Sequence, residues 1–191
     1  MITKVFEAFS VTHVGILNGS TSFTDATAAL GDVYGVRTAS LEADIGEFDN
    51  VGDDAVLSNW QWFNKGTLNV VAGYISFDTL NVISGETVGS SASGSSTAYY
   101  FPLWSTTQLN IAPKPVLVKM AAKDADGTVR QFYLGLFKVQ FGPIRIEGPA
   151  YKEGLAISFT GAALMSSLDE KGVALTVPAV GRMIYKDTTS A

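Results

Sequence analysis

The residues able to do chemistry are few, and their spacing builds no active-site pattern. His13 is the only histidine, so a serine-histidine-acid triad would have to recruit it, yet no Gly-x-Ser-x-Gly elbow occurs. Cysteine is absent, which removes disulfides, thiolate metal sites and cysteine nucleophiles together. Asp124-Ala-Asp126-Gly127 has the opening of a calcium loop but lacks the third acidic position and the closing Glu, so it reads as a turn. Asp53 and Asp54 are adjacent carboxylates, too little on their own to build a cation site. The run around Gly89 and Gly94 lacks the Gly-Lys-Ser/Thr ending of a phosphate loop, and Asn18-Gly-Ser20 is a glycosylation sequon without a secretion signal. Trp60, Trp62 and Trp104 could line a sugar site, or anchor a core or an interface as aromatics do in strand-rich proteins. The sequence therefore predicts no catalytic residue, no metal and no cofactor.

Charge is distributed unevenly. Residues 1–60 hold nine acids against Lys4 and Arg37, a balance of −7, so the rest of a chain with net charge −5 carries +2. Glu42, Asp44, Glu47, Asp49, Asp53 and Asp54 follow one another with no intervening base. Between 114 and 152 the excess reverses, with Lys114, Lys119, Lys123, Arg130, Lys138, Arg145 and Lys152 set against three acids. Two readings stand: two solvated faces, or opposite patches that meet between identical copies and fix their register.

The elements that must position these residues are mostly strands. The 191 residues suffice for one domain with a real core, and 47% hydrophobic content with scattered glycines argues against disorder. Only 16% of residues are charged, against about 25% in a typical soluble domain, so much of the monomer surface is expected to be buried against other subunits. No apolar run approaches the roughly 20 residues that span a bilayer, and a soluble protein made in the cytoplasm is expected.

Strand signals cover 36–45, 60–63 and 67–75, with Leu68, Val70 and Ala72 on one face. The intervening acidic segment GEFDNVGDD reads as a long loop or extended hairpin. One helix is predicted after residue 75, capped by Ser76, with Asp78 in its first turn, Phe77, Leu80 and Ile83 or Val82 at helical spacing, and Gly85 as its stop. Residues 89–97, GSSASGSST, read as a flexible loop. Strands at 115–123 and 129–141 flank the Asp124-to-Gly127 turn, and a second hairpin turns at Asp169-Glu-Lys-Gly172 before a last strand at 180–185. Alternation places Val129, Gln131, Tyr133, Gly135, Phe137, Val139 and Phe141 on one face; apolar residues on both faces imply cover on both sides. The first 30 residues hold no period and are expected to form an arm ordered on a neighbour, or an edge strand with a loop.

The stretch NVGDDAVLSNWQWFNKGTLNVVAGYI (50–75), the helix at 77–85, the Ala112-Pro-Lys-Pro-Val116 segment, the Asp124 hairpin and the closing GPAYKEGLAISFTG together resemble the major tail proteins of siphophages infecting actinobacteria, by their order and spacing over most of residues 33–185. The resemblance implies a mainly β fold, the tail tube fold, in which two antiparallel sheets pack as a sandwich or barrel with one short α-helix. The implied organisation is an N-terminal arm or edge segment (1–32), a tube domain (33–186) and a C-terminal tail (187–191). It implies self-assembly as partner chemistry: hexameric rings stacked head to tail into a tube, together with a tape measure protein, a tail terminator and distal tail proteins, in a virion tail assembled in the host cytoplasm. The acidic segment 45–58 is then the candidate loop reaching the adjacent ring. DNA is then expected to pass through the lumen without specific binding, with some of the acids facing the channel, no membrane is expected to be involved, and the subunit is expected not to be an enzyme. The rival expectations are another virion ring or decoration protein, such as a tail terminator or distal tail protein, and a carbohydrate-binding β-sandwich.

Overall fold

The computed structural model describes residues 6–19, 21–24, 29–52, 55–102, 111–124, 127–147 and 156–186. The elements in chain order are β1 (Phe6–Leu17), β2 (Ala29–Gly52), β3 (Ala55–Ile75), α1 (Phe77–Ser84), β4 (Gly89–Ser93), β5 (Ser96–Tyr100), β6 (Lys114–Asp124), β7 (Val129–Phe141), β8 (Arg145–Glu147), β9 (Ala156–Ala163), β10 (Ser166–Leu168), β11 (Ala174–Ala179) and β12 (Gly181–Lys186). Eight strands lie in the order β12-β7-β6-β1-β2-β3-β9-β8, and β7 also pairs with β9. That extra pairing closes β7-β6-β1-β2-β3-β9 into a six-stranded antiparallel barrel. The fold is thus mainly β with one short helix, and the strands form the walls of a closed barrel.

The interior follows from alternation. Leu68, Val70 and Ala72 of β3 share one face and are all buried, meeting Val14, Ile16, Val33, Val116 and Val118 in the main core. On β7 the alternation read from sequence holds as far as Phe137 and then changes. Tyr133 and Phe137 point outward, but a register shift opposite Lys114 and Val116 turns Val139 and Phe141 into the main core. A bulge inserts a residue and so exchanges the two faces beyond it.

The N-terminal expectation is corrected. Residues 6–17 form neither an arm nor an edge: β1 pairs with β6 on one side and β2 on the other. Its pattern was unreadable because the pairing with β6 shifts register twice, between Ala8 and Ser10 and between Val11 and His13. Residues 89–97 are also not a loop. They belong to the β4–β5 hairpin, which turns at Gly94 with φ +62, a backbone conformation open to glycine. Its side chains are nearly all exposed, so no core signal marks it in the sequence.

The helix is built as read. The Ser76 hydroxyl accepts from the Thr79 amide at 3.0 Å, Gly85 closes the end with φ +71, and Leu80 and Ile83 enter the main core. The Thr79 hydroxyl donates to the Asp32 carbonyl at 2.9 Å, which ties α1 to β2.

A second, smaller core lies outside the barrel, where Leu17, Phe23, Leu117, Tyr133 and Phe137 pack beneath Leu175, Ala179 and Ile184. The Phe23 ring occupies space that only a glycine at 135 leaves free: a Cβ there would stand 2.2 Å from Phe23 Cδ2. Glu170, fully buried at the turn of β10–β11, clasps this region. Its Oε1 accepts from the Phe23 amide at 3.3 Å and from the Arg182 guanidinium, which also lies over the Phe23 and Phe137 rings at 5.5 and 5.8 Å. The pair is asymmetric, since the Arg182 side chain is 42% exposed and the Glu170 side chain 0%. Arg182→Ala strands a carboxylate out of water and is expected to cost about 3–5 kcal/mol. Glu170→Gln keeps an acceptor and leaves a cation that water can reach, for about 1–2 kcal/mol. Urea unfolding midpoints of the two variants measure the order.

Candidate assembly interface

The most unusual element is the β2–β3 hairpin. β2 pairs with β1 only from Ala29 to Val33, and β3 pairs with β9 only from Gly66 to Ala72. Among the described residues β2 is therefore unpaired on its β1 side from Tyr34 onward, and beyond Ala43 and Gly66 the two strands have only each other. The nine residues from Asp44 to Gly52 carry this arm about 30 Å past the barrel, at about 3.3 Å per residue.

Local contacts stiffen the arm without giving it a core. The Trp62 ring lies against Gly46, where a Cβ would stand 2.4 Å from Trp62 Cε2. Trp62 Nε1 donates to Asn64 Oδ1 at 2.9 Å, and the Asn64 amide donates to Asp44 at 3.4 Å. Asn64 is the extra residue where pairing shifts between Asp44 and Ile45. Ile45 and Trp62 are 56% and 51% exposed. A lone pair of strands is marginally stable in water, and one that exposes large apolar side chains and unpaired edges has the character of an unfinished contact surface.

The acidic residues sit on this arm. Glu42, Asp44 and Glu47 are exposed and form no ion pair among the described residues; Glu47 accepts from the Gln61 amide at 3.5 Å. Asp49 pairs through its backbone with Asn59, and Asp53 and Asp54 lie outside the described residues. The acidic segment is thus an extended hairpin, one of the two forms read from sequence.

The basic residues divide between regions. Lys119 and Lys123 face outward on β6, with the Lys119 ammonium 5.7 Å from the Tyr133 ring centroid, and Arg130 stands in register with Ala122 at the same end of the β6–β7 pair. Lys114 is in register with Val139 at the other end, next to the exposed Lys138. Arg145 is exposed on β8, and Lys152 lies outside the described residues. Lys186, which the sequence reading passed over, joins Lys119 at Tyr133, its ammonium 5.3 Å from the ring and donating to the Thr24 carbonyl at 2.7 Å. No spacing signal links residues that meet only through the last strand.

The remaining candidates do not form a reaction centre. His13 Nε2 is 2.6 Å from Asp32 Oδ1, and the Tyr34 hydroxyl donates to Asp32 Oδ2 at 3.2 Å. The Asp32 charge holds the Tyr34 phenol above its ordinary range. This cluster ties β1 to β2 beside their last shared pair, Val14 with Val33, and no nucleophile reaches the imidazole among the described contacts. No group of three or more metal-ligating side chains gathers among the described residues. An apolar cleft of about 290 Å³ between α1 and β8, with Phe77, Leu80, Ile144 and Ile146 in its walls, has among the described residues no polar side chain to orient a substrate. Trp60 is described only through its backbone partner Phe48, and Trp104 lies outside the described residues. Among the described residues no helix is long and apolar enough to cross a membrane. No protein-family model matches the chain, and no curated protein matches its sequence.

Because Ile45 and Trp62 contribute little to the monomer's own core, the double substitution Ile45→Ser with Trp62→Ser is expected to shift the urea midpoint of the isolated subunit by no more than about 0.5 kcal/mol equivalent. Self-association of the same variant, read by sedimentation velocity, is expected to fall steeply.

Proposed function

We propose that this chain is a structural, non-enzymatic virion subunit of the tail tube type, whose copies close into rings that stack into a tube conducting DNA. One observation carries the reading: an arm of about 30 Å leaves a closed barrel with both edges unpaired among the described residues and apolar side chains in water. Such an arm is completed by a neighbouring copy in a head-to-tail contact, which closes a ring or continues along a stack. Among the described residues, further free edges lie on β8 and β12, at the two ends of the strand order. The barrel with its flanking helix and long acidic hairpin agrees with the tail tube fold that the sequence resemblance implies, and a hexameric ring is adopted from that resemblance.

The acids of the arm favour a lumen that lets DNA slide, because duplex DNA is held by releasing counterions to clustered Lys and Arg, and the bases that do gather, Lys119, Lys123, Arg130 and Lys186, lie at one end of the β6–β7 pair and not on the arm.

Electron microscopy of the purified protein at high concentration tests the proposal. Stacked tubes are the expected product; discrete single rings would favour a terminator, distal tail or decoration role, and a stable monomer that binds glycans would favour a carbohydrate-binding module. Replacing residues 45–64 by Asn-Gly, which joins the register partners Asp44 and Lys65 through a tight turn, is expected to preserve the barrel and abolish tubes. Nanomolar binding of duplex DNA at physiological salt would count against a sliding channel.

A further inference from the structure

We infer that the groove between α1 and the β4–β5 hairpin binds a primary alkylammonium group, carried either by a free polyamine or by a lysine side chain of a basic segment. The site goes beyond the tube reading above and does not depend on it. Its walls come from two elements. Phe77, Asp78 and Asn81 recur on α1 at helical spacing, turned away from the buried Thr79, Leu80 and Ile83. Ser90 of β4 and Tyr99 of β5 are register partners and so share one face of the hairpin, and Val88 completes the lining. The space between them is about 370 Å³, within the range of small-molecule sites.

This groove has acceptors and aromatic faces but few donors. The Asp78 carboxylate is exposed and forms no ion pair or hydrogen bond among the described residues. Asn81 Oδ1 and, just before Val88, Glu86 Oε1 are buried without a hydrogen-bond partner among the described residues. A buried acceptor left without a donor is costly, and a ligand that brings donors recovers that cost. The terminal torsion of asparagine is broad, so a small rotation turns Oδ1 into the groove. The local chain has no cation to offer: from residue 66 to residue 113 there is no Lys or Arg, and Asp78 and Glu86 are the only charged residues.

The aromatic rings lack the same partner. Elsewhere the chain seats its own cations on its rings, Lys119 and Lys186 at Tyr133 and Arg182 at Phe23 and Phe137. Phe77 and Tyr99 are 45% and 63% exposed and have no such cation among the described residues. An alkylammonium meets all of these needs together. It carries N–H donors and no acceptor, it neutralises Asp78, and its charge is drawn to the face of an aromatic ring. An anion would meet the Asp78 charge, and a neutral sugar would leave that carboxylate uncompensated. The Thr79 amide at the start of α1 is already taken by the Ser76 hydroxyl, so it is not a donor for an anion in the groove.

Isothermal calorimetry on the full chain tests the inference with spermidine, Nα-acetyl-lysine amide and the neutral sugar maltotriose. Saturable binding of an ammonium probe at a single site is expected, with no heat from maltotriose. The tighter of the two ammonium probes identifies the source, spermidine pointing to a free polyamine and the lysine amide to a basic protein segment. Asp78→Asn and Tyr99→Ser, both at exposed positions, are each expected to weaken this binding about tenfold. Glu47→Gln removes the same charge from the arm and is expected to leave it unchanged. Equal weakening by Glu47→Gln would reveal diffuse attraction to an acidic protein and overturn the site. Failure of both ammonium probes to bind, or binding of maltotriose in their place, would overturn it as well; each of these results leaves the tube reading standing.

Discussion

The short pairing between β7 and β9 is the constraint on which the rest of this molecule depends. Val139 with Ala163, Gln140 with Ala162 and Phe141 with Gly161 turn an open eight-stranded sheet into a closed barrel. Closure needs two accommodations. The register shift opposite Lys114 and Val116 rotates the end of β7 so that Val139 and Phe141 face inward. Gly161 leaves room for Val139, whose Cγ1 would stand 2.5 Å from a Cβ at that position. Closing the sheet hides most of its edge hydrogen-bonding groups, which is the usual solution to the hazard of open strands. The edges that stay open among the described residues, on β2, β8 and β12, are therefore the places where association is cheapest to form, and β12 borders the second core through Ile184.

Much of this architecture was legible where a single residue sets local geometry. Ser76 and Gly85 bracket the helix because a hydroxyl can accept from the third residue onward and glycine can take positive φ. Gly127 and Gly172, at φ +87 and +81, mark two hairpins for the same reason. At Asp169 the side chain completes the turn by accepting from the Lys171 and Val173 amides, and these bonds hold its carboxyl below the usual range. Legibility failed where the period breaks. Two shifts in β1 scramble its alternation and disguised a central strand as an irregular arm, and the β4–β5 hairpin carries no core to announce it.

The candidate surfaces divide in the same way. The acids from Glu42 to Glu47 are consecutive in sequence and remain together on the arm, because a hairpin keeps neighbours near one another. The bases from Lys114 to Arg145 are spread along the length of an antiparallel pair, so closeness in sequence did not become closeness in space.

The interior place of β1 has a consequence for how the chain comes into being. Its partner β6 begins about a hundred positions downstream, as the bond from the Thr12 hydroxyl to the Lys119 carbonyl, spanning 107 residues, makes plain. A ribosome releasing the N-terminus first must leave that strand waiting with one side unsatisfied while most of the polypeptide is made. Pairings so distant in sequence form slowly, so birth of a competent subunit is delayed to the end of translation, and premature encounters between half-made chains become the principal danger along the way.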